Sequence, residues 1–191
     1  MLCPNVSWGA SRVNRSPPRR RRNVFRRKNP HAPAARRLYL RVAEAARRPE
    51  LFERFGVPDT LDGRFDALAL HVWMAIDRLR AEPDGADRAQ ALFDAVMAHL
   101  DLTLREIGVQ DLGVGRRIKV MADGLHGRSL AYRAALAGDG PEPFRETLRR
   151  NGYGGTPPAL NDAGLAAYEA YVRSRVAELG EMDANALPEK F

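Results

Sequence analysis

The stretch Thr60-Leu-Asp-Gly-Arg-Phe-Asp-Ala-Leu-Ala-Leu-His-Val-Trp-Met-Ala-Ile-Asp-Arg-Leu-Arg80 decides the fold. Thr60 offers a side-chain oxygen to a free backbone N–H and so makes a good helix N-cap. Leu61, Phe65, Leu68, Val72, Ile76 and Leu79 then recur every three or four residues, the period of a helix with one buried stripe. On this reading Val72 faces the core and His71 and Trp73 flank it. His71 is expected at the core boundary with an ordinary hydrogen bond. Trp73 and Met74 are expected to add to an exposed apolar surface.

The same helical period runs outward in both directions. Toward the N-terminus, Ala34 to Arg48 places Leu38, Val42 and Ala45 on one face, and Pro49 to Phe55 is a short helix stopped by Gly56. Toward the C-terminus, Ala86 to Ile107 carries Leu92, Val96, Leu100, Leu104 and Ile107, with Gly108 at the C-cap position. Val114 to Leu136 carries Ile118, Met121, Leu125 and Leu136, and Gly124 and Gly127 are expected to weaken or bend it. A short helix from Pro143 to Arg150 ends in the Asn151–Gly155 loop. Leu160 to Leu179, capped by Asn161 or Asp162, closes the domain through Leu165, Tyr168, Val172, Val176 and Leu179. No period-2 run and no internal repeat appears. The expectation is an all-α, irregular bundle of about six or seven helices over residues 31–182, with 183–191 as a tail.

Composition narrows the class. The chain has 191 residues, 45% of them hydrophobic, enough for one domain with a real core. Its single cysteine, Cys3, allows no internal disulfide, so a reducing compartment is expected. No apolar run approaches the roughly 18–20 residues of a membrane span, so a soluble or peripheral protein is expected. Through Arg48 there are 14 Lys or Arg residues against one acid, Glu44, whereas from Pro49 onward 17 meet 23. Residues 1–30 therefore read as a disordered basic arm. The excess of Arg over Lys suits a GC-rich genome, in which residues 1–23 come from an upstream start and the native chain begins near Val24. A transit peptide is the alternative, although the segment lacks an amphipathic apolar face.

Little points to catalysis. His31, His71, His99 and His126 have no metal-ligand spacing, and no nucleophile elbow or phosphate loop in its strand–loop–helix setting is present. The charges around the glycines are more informative. Asp62 and Asp66 suit the positive start of their helix, but Arg116, Arg117 and Lys119 open theirs where the helix dipole disfavours cations. They need another cause: pairing with Asp62, Asp66 or Asp111, or an acidic partner. Arg128, beside Gly127, joins either arrangement.

The order of these stretches resembles a known family. Leu61 to Asp66 reads Leu-Asp-Gly-Arg-Phe-Asp, followed by His71-Val72 and by Arg-Glu-x-Gly-Val at Arg105 to Val109. Asp111-Leu-Gly-Val-Gly-Arg-Arg117 and Gly127-Arg-x-x-x-Tyr132 complete the succession. It is similar to the ubiquinol–cytochrome c chaperone family over about Ala34 to Gly155, with His126 standing where the family carries an aromatic. The resemblance implies a helical chaperone, not an enzyme, that binds newly synthesised cytochrome b and promotes assembly of respiratory complex III. No cofactor, metal or small-molecule substrate is implied. The motif residues Asp62, Arg64, Asp66, His71, Arg116, Arg117, Lys119, Arg128 and Tyr132 are expected to form one partner-binding face.

Arg26, Arg27, Lys28, Arg36 and Arg37 are expected to meet an anionic membrane surface or the ribosome. This places the protein at the inner face of the bacterial cytoplasmic membrane, or on the matrix side in a mitochondrion. Two other classes stay open. One is a nucleic-acid-binding protein acting through the basic arm; the other is a small-molecule enzyme using Asp62, His71 or Arg128 in a helical pocket.

Overall fold

The computed structural model describes residues 29–108, 111–154 and 161–191, which form eight helices and no strand. They are α1 (Ala32–Ala45), α2 (Pro49–Glu53), α3 (Leu61–Arg80), α4 (Gly85–Glu106), α5 (Asp111–Ala137), α6 (Phe144–Asn151), α7 (Asp162–Glu181) and α8 (Leu187–Lys190). The expected basic arm, with Arg26, Arg27, Lys28 and the start near Val24, lies outside the described residues.

Helix ends follow local chemistry. The Gly63 N–H donates to Thr60 Oγ1 at 3.2 Å, and the Gly164 N–H donates to Asn161 Oδ1 at 3.0 Å. Each bond satisfies one of the free donors in a first helical turn.

Helix α3 is the hub, packing against α1, α4, α5 and α7. Every residue from Ala69 to Ile76 is buried, so the helix is covered on all sides rather than along one stripe. This corrects the expected placing of His71 at the core boundary and of Trp73 and Met74 at the surface. Both His71 and Trp73 are fully buried, because α5 and α7 cover the flanks that the Val72 stripe leaves open. Trp73 packs on Tyr132 of α5, with ring centres 5.2 Å apart, and on Phe144 of α6. Phe55, Tyr153, Tyr168 and Tyr171 form a second aromatic group where α7 meets the chain after α2.

The expected tail is part of the fold. Leu187, Pro188 and Phe191 are buried, and α8 packs along α1. Arg37 pairs with Glu189 at 2.9 Å, and Arg88 donates to the Ala184 carbonyl at 2.7 Å. Four residues are too short to show a helical period, which is why the sequence pattern missed this element.

Helix α5 also differs from expectation. It runs unbroken through Gly124 and Gly127 and begins at Asp111, nearly a turn before the expected Val114. Arg116, Arg117 and Lys119 thus lie beyond the first turn, where the dipole penalty has faded.

Candidate functional site

The motif residues divide into an interior latch and an exposed face. The latch begins with Asp66, 1% exposed on the buried side of α3. One carboxylate oxygen pairs with Arg128 of α5 at 2.6 Å, and the other accepts the Gly154 N–H from the loop after α6 at 2.7 Å. Arg128 also lies 5.6 Å over the Phe65 ring. Burial raises the Asp66 carboxyl above its ordinary pKa, and Arg128 and the Gly154 N–H oppose this without cancelling it.

Two glycines allow close backbone approaches here, Gly63 to Pro58 ahead of α3 and Gly154 to Gly63 itself. A Cβ on Gly63 would meet the Pro58 carbonyl oxygen at 2.1 Å, a distance no side chain tolerates. Gly154 has φ +60° and lies so close that a Cβ there would be 3.0 Å from the Gly63 nitrogen.

Tyr132 and His71 extend the latch inward. The Tyr132 hydroxyl donates to the Asn151 carbonyl at 3.3 Å, and burial pushes the phenol up. His71 Nδ1 lies 2.7 Å from the Ala67 carbonyl and donates to it, while Nε2 is buried without a partner among the described residues. Burial pushes the imidazole down to about 4; the Ala67 bond opposes this, and Arg175 and Arg48 add to it. The ring is therefore neutral at pH 7.

A single partner-binding face of all nine residues is thus corrected. Asp66, His71 and Tyr132 are interior, and Arg128 is committed to Asp66 because an ionised carboxylate this deeply buried needs a counter-charge. Asp62 and Arg64 are exposed at the start of α3, where Arg64 pairs with Asp59 at 2.5 Å. Arg116, Arg117 and Lys119 are exposed on α5 and have no ion-pair partner among the described residues. The structure brings Asp66 and Arg128 together and, among the described residues, gives these three cations no ion-pair partner.

Sequence reasoning missed the apolar half of the exposed face. Arg116, Val120, Asp123, Gly127 and Leu130 follow one another at steps of four and three, so they share one line along α5. Val120 is 65% and Leu130 50% exposed, and among the described residues nothing lies within 4 Å of the outward direction at Gly115 or Gly127. Leu102 of the neighbouring α4 and Ile107, which caps its C-terminus, are exposed as well. The available signal was phase: Val120 and Leu130 fall outside the Ile118–Met121–Leu125 stripe. Gly154, the third member of the latch, sits in a loop with no pattern linking it to Asp66.

A cleft of about 460 Å³ lies elsewhere, between the end of α1 and α4, and no motif residue lines it. Among the described residues no cluster of His, Cys, Asp or Glu is able to hold a metal, and no helix is long and apolar enough to cross a membrane.

The family model described as ubiquinol-cytochrome C chaperone matches residues 53–190. No curated protein matches the chain. The chain is similar to the Cbp3 homolog from Brucella abortus, known from a crystal structure. The two are 33% identical with a TM-score of 0.68, over 86% of this chain and 90% of that one. With the motif order, the helical fold and both likenesses in agreement, the chain belongs to the ubiquinol–cytochrome c chaperone family.

Proposed function

We propose that this protein is an assembly chaperone of complex III that holds newly synthesised cytochrome b against the outer face of α5, with no catalytic step. Family membership supports the chaperone role. The observation that carries the choice of face is the unpartnered line of Arg116, Val120, Gly127 and Leu130. A newly made membrane protein presents apolar helices with polar ends before its partners arrive. Exposed Val120, Leu130, Leu102 and Ile107 can cover such a segment, each gaining about 1.5–3 kcal/mol when fully buried. Arg116, Arg117 and Lys119 suit acidic groups at its edge. A few such contacts hold a client and still let it go, as assembly requires.

The chaperone works at the inner face of the cytoplasmic membrane, or on the matrix side in a mitochondrion. Arg26, Arg27, Lys28, Arg36 and Arg37 there give a salt-reversible attraction to anionic lipid of about 1 kcal/mol per residue. The test of the client face is capture of cytochrome b by the tagged chain from native membranes, beside complex III content. Val120→Asp and Lys119→Glu should keep the wild-type melting temperature, lose the client and lower complex III while other respiratory complexes persist. Stable variants with normal capture and normal complex III would remove α5 from the proposal.

A further inference from the structure

The cleft between α1 and α4 is lined by Tyr39, Leu40, Ala43, Glu44, Arg47, Arg48, Pro49 and His99. Its rim belongs to a strongly basic surface. Arg36, Arg37 and Arg41 point outward from α1, and Arg47 and Arg48 follow in the turn after it, against the one acid Glu44. Glu44 is taken by Arg41 at 3.2 Å, and Arg37 is taken by Glu189. Arg36 and Arg47 have no ion-pair partner among the described residues. Leu40, 61% exposed, stands between these arginines one turn after Arg36.

Inside the cleft, the buried ring of Tyr39 lies 4.9 Å from the half-buried His99. The cleft thus has an apolar floor, an imidazole on one wall and two guanidinium groups at its end.

We propose that this cleft docks the headgroup of an anionic phospholipid at the membrane surface. Arg47 neutralises the phosphate, since a guanidinium group matches its oxygens, and Arg48, held by the Tyr171 hydroxyl, adds its charge beside it. His99 borders it, and the glycerol backbone lies along Ala43 and Pro49. Leu40 enters the acyl boundary, so a surface-bound protein gains a fixed orientation rather than a diffuse charge attraction. Charge complementarity selects the occupant: the surface is basic around one protruding apolar side chain, and the Tyr39 ring that could stack a nucleobase is buried. Helix α1 packs on α3, α4 and α8, while α5 packs on α3, α4 and α6. The lipid site therefore centres on α1 and the client face on α5, with His99 and Leu102 of α4 bordering one each. The proposal rests on the peripheral membrane reading above and adds a built site to it.

Flotation of the full chain with vesicles tests it, using phosphatidylcholine alone and phosphatidylcholine with phosphatidylglycerol, at low and high salt. Wild-type chain should float only with the anionic vesicles at low salt. Arg47→Glu, which shifts the local charge by two, should lower partitioning by roughly tenfold or more. Leu40→Ser should lower it by a similar factor, and both variants should melt as wild type does because both side chains are exposed. Lys119→Glu should float like wild type. If wild type floats and the Arg47 and Leu40 variants match it, with loss only on replacing Arg26, Arg27 and Lys28, the cleft is wrong and the peripheral reading stands. If wild type never floats with anionic vesicles, both are wrong.

Discussion

Arg64 and Arg128 both belong to motifs and both pair with an aspartate, yet reversing them should have very different consequences. Arg64 meets Asp59 in open solvent, where water and salt screen the pair. Arg64→Glu should leave the urea midpoint in place. Arg128→Glu puts a second carboxylate against Asp66, which is 1% exposed. Loss of at least about 3 kcal/mol is expected, the lower end for stranding a buried charge because Arg128 itself is partly exposed. Equal midpoints for the two variants would dismiss the latch. His71 adds a pH signature. Its folded pKa of about 4 lies below the ordinary histidine value of 6.5, so the unfolded chain binds the extra proton between those values. The stability this residue contributes is present above pH 6.5 and falls toward pH 4, by about 1.4 kcal/mol per pH unit. Asp66, with its raised pKa, works in the opposite sense and is common to both chains compared. The wild-type stability minus that of His71→Gln should therefore shrink as pH falls from 6.5 to 4. A constant difference across that range would count against a buried neutral His71.

Among the elements, α8 shows how much a short segment can hold. Its Leu187 and the terminal Phe191 are buried against α1, and Arg37 and Arg88 tie the segment down. Arg78 of α3 fastens the chain just before it, donating to the Leu179 and Met182 carbonyls at 2.9 and 2.8 Å. Removing residues 183–191 should cost roughly 3–6 kcal/mol from Leu187 and Phe191 alone. Chemical denaturation of the truncated chain checks this, and an unchanged midpoint would show that α8 is dispensable to the bundle.

The whole molecule is organised around α3, whose central turns touch no solvent. Val72→Asp places a charge at a fully buried position, at a cost of several kcal/mol. A domain of ordinary stability, about 5–15 kcal/mol, loses much or all of its margin. Far-UV circular dichroism and urea titration should show a largely unfolded or strongly destabilised chain, and a cooperative wild-type transition would contradict the central placing of α3. This architecture also separates tasks. Because α3 and α4 fill the middle, α1 and α5 can each show one side to the outside, a basic surface on α1 and a mixed apolar and cationic one on α5.

The sequence by itself determined the helical class, seven of the eight helices, the cap at Thr60 and the motif order that marks the family. These depend on neighbours within about four residues, where periodicity and capping act directly. Only the tertiary structure decided which side of each helix is the inside. His71, Trp73 and Tyr132 are buried because α5, α6 and α7 close over α3. Asp66 meets Arg128 only because α5 packs on α3, and Gly154 only because a loop 88 residues away returns to it. Val120, Leu130 and Leu40 are exposed because no described segment covers them. Burial is set by chain segments far apart in sequence, and a local pattern carries no record of which distant segment arrives.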